Sequence, residues 1–221
     1  MRRKVRFEEI SDGRLYGLND MVKADCGDCK GCSACCQGMG ESIVLDPLDV
    51  HRLAVNLGLG FEQLMERHIE LHVVDGLILP NLKLAGADER CTFLNEQGRC
   101  GIHGFRPGIC RLFPLGRYYE DRSFQYFLQV HECRKENRAK VKVKKWIDTP
   151  DSKAYEKFIN DWHYFLEDLD EMVSRDGDEG MRKGSCMYVL RQFYMTPFDG
   201  EQDFYGQFQE RLERARVDLG V

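Results

Sequence analysis

Five cysteines fall within eleven residues, "CGDCKGCSACC" at positions 26–36. A C-x2-C turn lets two sulfurs converge on one metal while peptide N–H groups turn inward toward anionic sulfur, which serves Zn2+ and iron–sulfur clusters alike. Cys26, Cys29, Cys32 and Cys36 reproduce the C-x2-C-x2-C-x3-C spacing of a ferredoxin, with Cys35 inserted in the last gap. Cys29, Cys32, Cys35 and Cys36 read equally well as C-x2-C-x2-C-C, and spacing by itself does not choose between the two registers. Gln37 stands where a ferredoxin places proline, which speaks against a plain ferredoxin.

Four scattered thiols extend the set: Cys91, Cys100, Cys110 and Cys133. With four from the run they make eight, the number for two four-coordinate centres or two cubane clusters. Each has an arginine neighbour, as Arg90-Cys91, Arg99-Cys100, Cys110-Arg111 and Cys133-Arg134. Four thiolates around Zn2+ leave a charge of about −2, which guanidinium groups offset while donating hydrogen bonds to sulfur. His103 and His131 lie close enough in sequence to replace a thiolate, although a hydrogen-bonded or surface histidine is the simpler reading. Asp46 and Asp49 are explained by helix capping before metal binding.

The chain around these residues is 221 residues long, enough to bury a core without disulfide staples. Nine of its ten cysteines lie between Cys26 and Cys133, so the enrichment belongs to a site. No apolar stretch follows the basic N-terminus, and no run approaches the ~18 apolar residues of a membrane span. The expected setting is a reducing cytoplasm, where clustered thiols act as ligands or redox groups. A net charge of −5 names no partner and argues against general nucleic-acid binding. No G-x-G-x-x-G or P-loop is present, so catalytic residues are not identifiable.

The elements that must position the thiols fall into three zones: an arm over 1–25, a cysteine-cluster domain over 26–135, and a helical extension over 136–221. In the arm, Phe7, Ile10, Leu15, Tyr16 and Leu18 are candidates to pin it down. "LDPLDVHRLAVNLG" predicts a helix with Asp46 as N-cap, Pro47 in the first turn and Gly58 as terminator. "FEQLMERHIE" sets Phe61, Leu64, Met65, His68 and Ile69 on one helical face. A hairpin is expected around Asp75-Gly76, a second between Cys91 and Cys100, and a strand at "RSFQYFLQV". The Lys–Val alternation from Lys140 to Lys144 reads as an edge strand protected by its charges, before a surface for acidic partners. Tyr155, Phe158, Ile159, Trp162, Phe165, Leu166 and Leu169 form the stripe of a long amphipathic helix, "DGDEG" breaks it, and a last helix follows from "FYGQF" onward. Only Cys186 lies in this zone.

"CKGCSACC", then "SIVLDPLDVHRLA", then "CTFLNEQGRCGIHGFRPGICRLFP" together resemble the YkgJ-type CxxCxxCC cysteine-cluster family, a zinc- or iron-chelating domain. The resemblance covers about residues 26–135 and implies the ligand register Cys29, Cys32, Cys35, Cys36 with Cys91, Cys100, Cys110 and Cys133. Cys26 lies outside that register. Some members resemble flagellin lysine methylases, which implies a cluster-dependent protein lysine methyltransferase-like enzyme as an alternative.

The expected fold is α+β: a small irregular cysteine-rich metal-binding core of short helices and hairpins, capped by C-terminal helices. The expected function is metal binding by those eight thiolates, with a redox, cluster-handling or partner-supporting role. Close-packed cysteines and the apolar Phe105, Ile109, Leu112 and Phe113 around Cys110 favour an iron–sulfur cluster of the 4Fe-4S type, with zinc as the alternative. A zinc-stabilised module that binds another protein through the basic segment is the third reading.

Overall fold

Tight turns govern this chain, and most of its strands come in pairs that such turns close. The computed structural model describes residues 6–27, 32–135, 137–176 and 179–221. In chain order its elements are helix α1 (Phe7–Ile10), strand β1 (Met21–Asp25), helices α2 (Pro47–Leu57) and α3 (Phe61–Arg67), and strands β2 (Ile69–Val74), β3 (Leu77–Leu82), β4 (Leu84–Ala85) and β5 (Arg90–Cys91). Helix α4 (Gly108–Leu112) and strands β6 (Leu115–Glu120), β7 (Ser123–Leu128) and β8 (Ala139–Lys142) follow. The last elements are helices α5 (Val143–Ile147), α6 (Ser152–Asp176), α7 (Glu179–Leu190) and α8 (Phe204–Leu219). The strands pair antiparallel as β1–β8, β2–β3, β4–β5 and β6–β7, so the protein is α+β as expected.

Two compact units share the chain, one from residues 2–43 and 83–152, the other from 44–82 and 153–221. Residues 44–82 follow the cysteine run in sequence yet group with the C-terminal helices.

In the first unit the N-terminal segment docks at four of its five candidate residues: Ile10 O accepts from the Val130 N–H at 3.1 Å and Leu18 O from the Lys144 N–H at 2.9 Å, and Phe7 and Tyr16 add further contacts. Phe7 meets Tyr118 and Phe127 edge-on at 5.1 and 5.3 Å. Tyr16 is buried and exchanges backbone hydrogen bonds with Tyr126 at 2.8 and 2.9 Å. Leu15, by contrast, is exposed. The strand expected at "RSFQYFLQV" is β7, closed onto β6 by Asp121 and Arg122, both at positive φ. Gly116 lies opposite Phe127 in that ladder, and a Cβ there would run into the Phe127 ring. The lysine alternation forms β8 with Lys140 and Lys142 exposed, but Val143 already starts α5.

In the second unit α2 begins and ends as predicted. Asp46 accepts from the Asp49 N–H at 2.9 Å, Asp49 accepts from the Asp46 N–H at 3.2 Å, and Gly58 ends the helix at φ 64°. This reciprocal box satisfies two otherwise orphaned donors, so both carboxylates have a structural use. The stripe expected to run through Ile69 stops earlier: α3 ends at Arg67, His68 caps it, and Ile69 opens β2. Six residues from Ile69 to Val74 pair with Leu77–Leu82, and that ladder overrides the helical periodicity. The β2–β3 turn is Asp75-Gly76, both at positive φ, as the hairpin signal requires. Helix α6 buries Tyr155, Phe158, Ile159, Trp162, Phe165 and Leu169, while Leu166 is half-buried. Phe158 packs on Phe208 at 4.6 Å and Trp162 on Phe193 at 4.9 Å. Of "DGDEG", residues 177 and 178 lie outside the described residues, and α7 starts at Glu179. The final helix from "FYGQF" onward is α8.

Candidate metal centre

Three short backbone connections bring the thiols of the first unit toward one another. Ala34–Cys36 form a 3-10 turn closed by the Cys36 N–H donating to Ser33 O at 2.9 Å. The next residue, Gln37, bridges to Arg90, and the Gly38 N–H donates to Glu89 O at 3.2 Å. The run is thereby laid beside β5, which carries Cys91 opposite Leu84. Cys100 is delivered by a loop closed at Leu94↔Cys100. Asn95 holds that loop, accepting from the Arg99 N–H at 2.8 Å through its side chain and donating its own N–H to Arg99 O at 2.9 Å. The second hairpin expected between Cys91 and Cys100 is thus a loop with one bridge, because Cys91 uses its ladder on β4.

Electrostatics couple four of these sulfurs. The Cys35 thiol is pushed up by a hydrogen bond with Cys36, by burial and by the charge Cys36 would carry. Burial raises Cys91 first, and the charges of Cys100 and Cys35 raise it further. Cys100 is likewise raised by burial and by Cys35, against the pull of Arg106 and Arg99. The Phe93 backbone donates to the Cys91 sulfur and the Ile102 backbone to the Cys100 sulfur, each from two residues downstream. Such inward N–H groups stabilise thiolate, and here they serve Cys91 and Cys100, outside the C-x2-C turns where they were expected.

These four thiols fit a thiophilic cation. Ionised together without one, Cys35, Cys36, Cys91 and Cys100 repel and are poorly solvated; a bound metal takes the place of the protons. Among the described residues no three His, Cys, Asp or Glu side chains meet at metal-ligand range. None of the described cysteines forms a disulfide.

Cys29 lies outside the described residues. Cys32, Cys110 and Cys133 are half-buried in the same unit, as is Cys26. Of the four apolar residues expected around Cys110, Leu112 is buried, whereas Phe105, Ile109 and Phe113 are half-buried. His103 spends its Nε2 on the Arg106 guanidinium, and His131 is exposed. Cys186 belongs to the second unit, where it is buried and accepts from the Ile78 N–H at 3.3 Å.

Of the arginines next to cysteines in sequence, Arg99 acts on the thiol beside it, Cys100. Arg90 donates to Leu94 O and Asn95 O, Arg111 donates to three backbone carbonyls, and Arg134 is exposed. Charge at the thiols comes from Arg99 and from Arg106. Arg106 has no cysteine next to it in the chain; its sequence cue is the R-P-x-x-C-R stretch from Arg106 to Arg111 within the cysteine-cluster motif.

No curated protein and no solved structure matches the chain. A family model does: CxxCxxCC, described as "Putative zinc- or iron-chelating domain", matches residues 28–148. That span contains Cys29 through Cys133 and ends at Asp148, beside the end of α5. It covers more than half of the 221 residues, and the chain belongs to the CxxCxxCC family of zinc- or iron-chelating domains.

Proposed function

We propose that this protein holds an iron–sulfur cluster, nucleated on Cys35, Cys36, Cys91 and Cys100. Cys29, Cys32, Cys110 and Cys133 complete an eight-thiolate set that holds one cluster or two. The observation that carries this reading is the pair of backbone donors on Cys91 and Cys100, within a group of thiols that raise one another's pKa values. The thiol-bearing unit adds a favourable field. It has 21 Lys and Arg against 16 Asp and Glu, whereas the other unit has 11 against 21. An excess of positive charge around anionic sulfur stabilises the bound state at longer range than any one hydrogen bond. The role proposed is electron transfer, cluster handling or support of a protein partner, in a reducing cytoplasm where such thiols stay available.

Zinc is the second reading, favoured by one feature. Cys35-Cys36 sit on a turn and Cys91 and Cys100 on a bridged loop, two separate knuckles of the kind that close around a tetrahedral ion. Anaerobic purification followed by iron, sulfide and zinc analysis decides between them. The cluster reading expects iron and sulfide in near-equal amounts and a broad visible sulfur-to-iron absorption. Colourless protein with stoichiometric zinc and no iron promotes the second reading. Less than about one metal per chain with every thiol titratable removes both.

A further inference from the structure

Arg111 follows Cys110 directly, so adjacency predicts that it faces sulfur. Its guanidinium donates to three peptide oxygens. Nε donates to Arg106 O at 3.2 Å, Nη1 to Asp148 O at 3.1 Å, and Nη2 to Gly104 O. The residue is only 7% exposed, and the Asp148 carboxylate lies 4.0 Å from Nη1. Two of those carbonyls belong to the loop between Cys100 and Cys110, and the third caps α5 in a left-handed conformation. The same loop carries Arg106, the cation that Cys35 and Cys100 feel, with its guanidinium against His103 Nε2. Trp146 makes a parallel tie, its Nε1–H reaching Leu112 O and Phe113 O at 3.2 Å, but it grips α4 and not the loop.

We propose that Arg111 is the positioning residue of the thiolate centre: its buried fork fixes the Gly104–Arg106 loop to the end of α5. Cys100, Cys110 and Arg106 are thereby held in place before metal arrives. Three carbonyls from two separate segments can be met together by a planar guanidinium, whose donors point in fixed directions. A lysine ammonium keeps the charge but cannot span them. Outer-shell contacts that orient ligands are typically worth roughly 10–100-fold in metal affinity.

The inference rests on the thiolate-centre reading, and the test separates the two. Metal-free full-length protein is titrated with Co2+ under anaerobic, reducing conditions, and the sulfur-to-cobalt and ligand-field bands report affinity and geometry. Wild-type protein that takes up no Co2+ sinks the thiolate reading itself. If wild type binds, Arg111→Lys is expected to bind roughly 10–100-fold more weakly with altered ligand-field bands. Arg111→Ala is expected to regain the wild-type bands on addition of methylguanidinium. Trp146→Phe is expected to lose thermal stability with bands unchanged. The proposal is overturned if Arg111→Lys matches wild type in affinity and spectrum, or if Trp146→Phe alters the spectrum in the same way. It is also overturned if circular dichroism shows both Arg111 variants unfolded with and without methylguanidinium, because the arginine then holds the fold and not the site.

Discussion

Cys35, Cys91 and Cys100 have thiol pKa values above the ordinary 9.0, through the Cys36 hydrogen bond at Cys35 and through burial at the other two. A group whose folded pKa is raised contributes stability below its unfolded value and loses it as pH climbs past that value. The metal-free protein should therefore lose melting temperature as pH rises from 9 toward 10. The metal-loaded protein should lose little over that interval, since its thiols are already deprotonated. Tyr16, pushed up to about 12 chiefly by burial and then by its bond to Asp12, adds its own loss only above the ordinary tyrosine value of 10.0. Thermal melts of both forms between pH 8 and 10 check this, and parallel curves would remove the coupling between metal and thiol protons. At this scale the cysteines were legible because their chemistry is their signal. The cations were legible only in part: Arg99 acts on the adjacent Cys100, whereas Arg106 acts on Cys35 and Cys100 with no cysteine beside it, since adjacency does not fix a side chain's direction.

Elements were most legible where a local rule needs no tertiary help. The Asp46–Asp49 box, Gly58 and the Asp75-Gly76 turn each settle a boundary from within a few residues. Where two local signals compete the reading failed. Ile69 continues a helical stripe yet belongs to β2 because β3 pairs with it, and Cys91 belongs to a ladder with Leu84 instead of one facing Cys100. Helix α7 has no clean apolar stripe, since Met181 and Met187 are exposed on it, and nothing local announced it. The β6–β7 hairpin offers a direct test of packing at this scale. Phe127 lies over Gly116 and against Phe7, so Gly116→Ala should force the ring toward Phe7. The expected cost is about 2 kcal/mol, or a fall of roughly 4–8 °C in melting temperature by differential scanning calorimetry. A variant as stable as wild type would mean that the ring moves freely.

At the scale of the molecule, the chain leaves the thiol-bearing unit after Ile43 and re-enters it at Lys83. Val44 is bridged to Asn81, so the exit and the return lie within roughly 5 Å of one another. A short glycine linker joining Ile43 to Lys83 should therefore leave the unit over 2–43 and 83–152 folded. Every expected ligand is retained in that piece, and its metal content per chain should equal that of the full-length protein. A soluble but metal-free product would show that the site needs more than its own unit. Composition does not show this division, because contacts with residues far along the chain, such as Tyr194 with Leu45 and Cys186 with Ile78, group 44–82 with the C-terminal helices. The detour also orders events on the ribosome. Leu45, Leu53, Leu64 and Ile69 emerge early, but Phe165, Phe193 and Phe208, buried in the same unit, are made much later. At bacterial or eukaryotic synthesis rates that delay is roughly 5–30 s, during which the apolar segment needs shelter from aggregation. The thiol-bearing unit is fully synthesised by Ser152, so a metal donor can act on a nascent chain whose last helices do not yet exist.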